Sequence, residues 1–132
     1  MKRMLDSNIC IYIIKHEPVM VEKKFRSFHI GDIAISSIVF SELAFGAHNS
    51  HHVEKNLFLL SEFIHPIEII SYDKAAASVY GGIRAELKRT GNLIGQLDML
   101  IAAHAISINA TLVTNNLKEY SRIKHLKCEN WI

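Results

Sequence analysis

Cysteine is scarce: only Cys10 and Cys128 occur in 132 residues, far apart, with no second pair and no CxxC spacing. That excludes a disulfide framework, leaves room for at most one bridge, and reads as reduced thiols in a cytoplasmic protein. Long apolar runs are missing too. The greasiest stretch, residues 99–113, is broken by His104, Ser107, Asn109 and Thr111, short of the roughly 20 apolar residues a membrane span needs. Near the N-terminus Asp6, Ser7 and Asn8 interrupt the chain before the run 9–14, which is too short for a secretory signal. A soluble, non-secreted protein is expected. There is no strong excess of charge, since the net value is +2, and this alone does not mark a nucleic-acid binder. Repeats, low-complexity tracts and linkers are absent. What is present is a 49% hydrophobic composition, enough core for one domain spanning residues 1–132.

The apolar residues fall into two periods. Residues 2–5, 33–35, 67–70 and 111–113 form short runs beside turn or capping residues and predict buried strands. Helical patterns are predicted over 7–15, from Pro18 to about 28, from a Ser36 or Ser37 cap to about 48, and over 53–63. Two more run from an Asp73 cap to Arg89, stopped by Gly91, and over 97–108, closed by Asn109. Strands alternating with helices define an α/β sandwich with a mainly parallel sheet.

Asp6 stands between the apolar pair Met4-Leu5 and the run 9–14. A carboxylate so placed must be paired, bound to a metal, neutralised or turned to solvent, because burying it alone costs several kcal/mol. Open parallel sheets bind ligands outside the carboxyl ends of their strands, and Asp6 ends the first one. Glu42 lies about two turns into the helix after the second strand, with Ile38, Val39, Phe45 and Gly46 at helical spacing. Asp98 has Ile101 and Ala102 as helical neighbours and sits in a first turn, where the macrodipole favours negative charge. Taken singly, Asp6 and Asp98 read as caps and Glu42 as the partner of a Lys or Arg. Taken together, three embedded carboxylates at one sheet edge repel one another, and a divalent cation removes the conflict. Without a supporting Cys or His set, oxygen ligands point to Mg²⁺ or Mn²⁺ rather than zinc, and such a site suits hydrolysis or transfer at a phosphate.

The stretches "MLDSNICIYIIK", "SSIVFSELAFGA", "IGQLDMLIAAHAI" and "LVTNNLKEY", followed by the tryptophan of "ENWI", resemble in order and spacing the signature blocks of VapC toxins, the PIN-domain ribonucleases of bacterial toxin-antitoxin pairs. Within that family the chain looks most like the branch described as endonucleases for initiator tRNA. The resemblance implies a PIN-like α/β domain whose central, mainly parallel sheet has four to five strands flanked by helices. It also implies Mg²⁺ or Mn²⁺ dependence, a toxin homodimer, and inhibition by a VapB-type antitoxin whose C-terminal segment covers the active site. Carried over by position, Asp6 and Asp98 are the principal metal ligands and Glu42 completes the acidic cluster. The fourth place falls either to Asn116 or to Glu119, one helical turn later. Two departures are mild: Asp-Thr-Asn is Asp6-Ser7-Asn8 here, which keeps the hydroxyl, and Pro-Ile-Gly is Leu93-Ile94-Gly95, which loosens a loop beside the site.

On that reading the reaction is metal-assisted hydrolysis of an RNA phosphodiester, with Glu42 or Glu119 orienting or deprotonating water. Asn8, Ser36, Thr114 and Asn116 are candidates for holding the carboxylates in place. A carboxylate cluster repels RNA, so phosphate contacts fall to cations around it: Arg84, Lys88 and Arg89 on one side, Lys118, Arg122 and Lys124 on the other. Tyr12, Tyr72, Tyr80 and Tyr120 could stack bases, although packing is the commoner use of such residues. His48, His51 and His52 have metal-binding spacing, but Asn49-Ser50 breaks the helix between them and the group reads as a polar junction. His104 lies about 120° around its helix from Asp98 and reads as a satisfied packing residue. Two rivals remain. A phosphatase or receiver-like domain would want a second acid where Asn8 stands, and a catalytically silent module binding only antitoxin or nucleic acid would not need the acidic set.

Overall fold

The computed structural model describes residues 1–132. The chain runs β1 (Arg3–Leu5), α1 (Ser7–Lys15), α2 (Val19–Arg26), a 3-10 turn (Ile30–Asp32), β2 (Ile33–Ser36), α3 (Ser37–His48), α4 (Val53–Ile64) and β3 (Glu68–Ile70). It continues with α5 (Lys74–Arg89), α6 (Gln96–Ser107), β4 (Thr111–Val113), α7 (Leu117–Tyr120) and β5 (Lys127–Glu129). The sheet order is β3-β2-β1-β4-β5 and every pairing is parallel. After β1 the chain builds outward to β2 and β3, then crosses back to place β4 on the other edge of β1. The crevice of an open sheet forms at such a switch, here between the ends of β1 and β4.

Local chemistry sets the element boundaries. Asp6 caps α1 by accepting from the Ser7 N–H at 2.8 Å, Ser36 caps α3 through Ile38 at 3.0 Å, and Asp73 caps α5 through Ala76 at 3.0 Å. Past the ends of α5 and α6, Gly91 and Asn109 take positive φ values of 70° and 54°, the left-handed turn that stops a helix. The helix predicted to reach residue 28 ends at Arg26, where the Ser27 hydroxyl bonds the Lys24 carbonyl at 2.6 Å. The "mainly parallel" sheet is wholly parallel, and its fifth strand is the polar segment Lys127–Glu129 at the edge.

The core gathers 24 buried residues, with Met4, Leu5, Ile33, Ile35, Leu112 and Val113 of the central strands among the most enclosed. Strands covered on both faces read as continuous apolar runs. Cys10 and Cys128 are unbridged, and burial pushes both thiols up, Cys128 to about 11. Trp131 stacks on Phe28 with ring centroids 5.4 Å apart and donates to Glu129 at 2.8 Å. Glu129 also takes the Arg3 Nε–H at 2.9 Å, and Arg3 lies 4.3 Å from the centre of the Phe28 ring. This clasp fastens β5 to β1 across β4.

His104 is fully buried, with Nδ1 2.7 Å from the Ser36 hydroxyl and Nε2 without a partner, so it is only half satisfied. Burial holds its pKa below the usual histidine value, against the opposing charge of Asp73. The unfolded chain therefore takes a proton near pH 6.5 while the fold still refuses it, and stability falls as pH drops through and below that value. His104→Asn keeps a group near the Nδ1 position but does not titrate. The excess unfolding free energy of wild type over this variant should shrink between pH 7.5 and 5.5 in urea melts. A pH-independent difference would contradict the assignment.

Candidate active site

Asp6 closes β1 with 8% of its surface exposed, and both carboxylate oxygens are occupied. Oδ1 accepts from the Ser7 N–H at 2.8 Å, and Oδ2 accepts from the hydroxyl of Thr114, a fully buried residue just past β4, at 2.8 Å. Glu42 comes from α3 and takes the Ser7 hydroxyl on Oε1 at 2.8 Å. Asp98, in the first turn of α6, accepts the Tyr120 hydroxyl on Oδ1 at 3.1 Å. Glu119, on α7, is held at both oxygens: the Gly95 N–H reaches Oε1 at 3.1 Å and the Asn116 amide reaches Oε2 at 2.6 Å. The carboxyls of Asp98 and Glu119 meet at the Gly95 loop, where a Cβ on Gly95 would lie 3.2 Å from Asp98 Oδ2 and 4.0 Å from Glu119 Oε1.

No ion pair of the molecule includes any of these acids. Burial raises the pKa of Asp6 against the bonds from Thr114 and Ser7, and the charges of Glu42 and Glu119 add to the rise. Burial also raises Asp98, against the Tyr120 bond, with Asp6 and Glu119 adding to it. Glu119 is lowered instead, first by Asn116 and then by the Gly95 N–H. The two neighbouring carboxyls are thus pushed in opposite directions, Asp98 up and Glu119 down.

The profile of the PIN domain family matches residues 3–126. The chain is 43% identical over 131 residues to the tRNA(fMet)-specific endonuclease VapC of Shigella flexneri, covering 99% of this chain and 98% of that protein. It is 41% identical over 132 residues to ribonuclease VapC2 of Haemophilus influenzae, covering 100% of this chain and 99% of the relative. In the crystal structure of VapBC2 from Rickettsia felis bound to a promoter DNA fragment, a chain 43% identical superposes with a TM-score of 0.94 over all of both chains. The chain belongs to the VapC family of PIN-domain proteins.

For this VapC-family chain the residues expected to hold the carboxylates divide. Thr114 and Asn116 do so, on Asp6 and Glu119. Ser36 does not: its hydroxyl caps α3 and faces His104. Asn8 is exposed and bonds none of the acids. Their place is taken by Ser7, Tyr120 and the Gly95 N–H. Of the two candidates for the fourth position, Glu119 reaches the cluster and Asn116 backs it.

As they stand, Asp6, Glu42 and Asp98 do not form a tight cluster of three donors. The acids form two linked pairs, Asp6 with Glu42 through Ser7, and Asp98 with Glu119. This donor set fits a cation that takes one or two carboxylates and keeps several waters, as Mg²⁺ does.

The cations spread out more than the sequence implied. Arg84 donates to the Tyr80 hydroxyl at 3.0 Å, Arg89 pairs with Glu86, and Lys88 and Lys118 are exposed. Arg122 and Lys124 line a cleft of about 440 Å³ beside the end of α5 with Asn92 and His125. Arg122 also donates to the Leu93 carbonyl at 3.3 Å and helps keep Glu119 ionised. Tyr120 is 1% exposed and packs in the core, unavailable for base stacking.

Gly95 marks a close approach. A Cβ there would lie 3.2 Å from Asp98 Oδ2 and 4.0 Å from Glu119 Oε1. Gly95→Ala should displace the Asp98 carboxylate by a few tenths of an ångström and slow cleavage about tenfold, since misplacement by 1 Å can cost about 100-fold. Cleavage rates measured beside thermal melts check this, the melting point changing little.

Proposed function

We propose that this chain is the toxin of a VapBC pair, an endoribonuclease that hydrolyses a phosphodiester in tRNA, with the anticodon region of initiator tRNA as its target. The observation that carries the reading is a set of acids at the switch between β1 and β4 with no protein cation paired to any of them. Asp6, Asp98 and Glu119 would hold Mg²⁺ or Mn²⁺, directly and through waters, with Glu42 at the rim. When bound, the ion offsets charge developing on the phosphate and makes water more acidic.

The chain's own contribution is placement. Each acid except Glu42 is fixed by a buried or backbone donor from another segment, which orients it before substrate arrives. Glu119, kept ionised, accepts a hydrogen bond from the attacking water and aims it. Arg122, Lys124 and His125 take the RNA backbone beside the Leu93–Gly95 loop. The antitoxin segment lies along the apolar groove between α1, α3 and α4, where Ile11, Ile14, Leu43 and Leu59 line about 370 Å³ and Glu42 connects it to the acids. The working form is a cytoplasmic homodimer.

The test is incubation of antitoxin-free protein with total tRNA and Mg²⁺ or Mn²⁺, followed by sequencing of the new ends. Cuts should concentrate in one anticodon region. Intact tRNA with both ions, or equal cleavage in EDTA, would overturn the reading.

A further inference from the structure

Asp6 and Glu119 each accept two hydrogen bonds from neutral protein donors, whereas Asp98 has one, from Tyr120. Tyr120 closes the single turn of α7, and its ring is part of the hydrophobic core. A phenylalanine would fill the same core space without placing a hydroxyl there. A buried hydroxyl costs free energy unless it is bonded, and here its one partner is Asp98 Oδ1 at 3.1 Å. That bond joins α7 to α6 and leaves Oδ2 as the carboxylate oxygen facing the Gly95 loop. Oδ2 and Glu119 Oε1 lie within 3.2 and 4.0 Å of a common point, the position a Gly95 Cβ would take. The hydroxyl therefore selects which oxygen of Asp98 stays open toward Glu119.

We propose that Tyr120 is a positioning residue for Asp98, and that its hydroxyl, separately from its ring, sets the affinity of the acidic site for a divalent cation. This rests on the proposed use of Mg²⁺ or Mn²⁺ by the same acids. It goes further in assigning part of that affinity to a core residue that touches neither ion nor RNA.

The experiment titrates antitoxin-free protein with Mn²⁺, following the free ion by electron paramagnetic resonance. Tyr120→Phe should bind Mn²⁺ about tenfold to hundredfold more weakly than wild type, the range for losing a group that orients a metal ligand. Tyr80→Phe, whose hydroxyl bonds Arg84 and Gln96, should bind as wild type does. In an Asp98→Asn background Tyr120→Phe should have no further effect. Equal Mn²⁺ affinity in wild type and Tyr120→Phe, or an undiminished loss in the Asp98→Asn background, overturns the proposal while leaving the proposed function standing. Absence of Mn²⁺ binding by wild type overturns both. A second measurement needs no variant at position 120: in fluorotyrosine-labelled wild type, with the other tyrosines assigned by their own Phe variants, Mg²⁺ should shift the Tyr120 fluorine resonance. A resonance indifferent to saturating Mg²⁺ also overturns it.

Discussion

Asp98→Asn should abolish RNA cleavage, by at least about 100-fold, while the metal-free protein melts no lower than wild type. The activity loss follows from removing a charge that Glu119 alone does not replace, since even groups that only orient a ligand are worth about 10–100-fold. The stability result follows from the electrostatics. Burial and the charges of Asp6 and Glu119 both oppose ionised Asp98, so a neutral amide of the same shape relieves repulsion. It still accepts the Tyr120 hydroxyl and can donate to Glu119. Function and stability pull in opposite directions at such a site. A cleavage time course beside a thermal melt in EDTA checks both halves. Cleavage at the wild-type rate would remove Asp98 from the site, and a large drop in melting temperature would make it a structural cap.

Divalent ion has the second large effect. EDTA should silence the protein without unfolding it, because the core and the clasp of Trp131, Phe28, Arg3 and Glu129 owe nothing to a metal. Mn²⁺ should restore cleavage. A ligand bound only by the fold at 100 times its dissociation constant adds about 2.7 kcal/mol, roughly 10 °C for a domain of this size. The gain should shrink in Asp98→Asn. It should also shrink in mild acid, since Asp6 and Asp98 hold protons at a higher pH than ordinary carboxylates and the ion must displace them. A melting temperature indifferent to Mn²⁺ in wild type would contradict the proposed cofactor.

The acids that sequence reasoning located were those whose surroundings made them conspicuous. Asp6 interrupts an apolar strand-to-helix transition, and Glu42 and Asp98 sit at helical spacing among apolar side chains. Topology then brought them to one edge. Glu119 was reached only through the family resemblance, as an alternative to Asn116, and the bond from Tyr120 to Asp98 was not foreseen, because Leu117–Tyr120 is a single turn, too short for periodicity to register. The fifth strand escaped for a related reason: Lys-Cys-Glu is polar and short, as edge strands are. The Ser7–Glu42 bond joins positions 35 apart, and nothing along the chain announces such a pairing. Ser36 was misplaced because a hydroxyl after a strand serves equally as a cap or as a carboxylate partner, and the choice fell to His104, whose buried Nδ1 lies 2.7 Å away.

The order of the strands governs when the enzyme comes into being. β1 emerges first from the ribosome, yet one of its edges stays bare until residues 111–113 dock on it. Until then the nascent chain has an unsatisfied backbone edge and lacks both Thr114 and Glu119. On the proposed function, the acidic site is therefore complete only once β4 and the turn after it have joined the sheet.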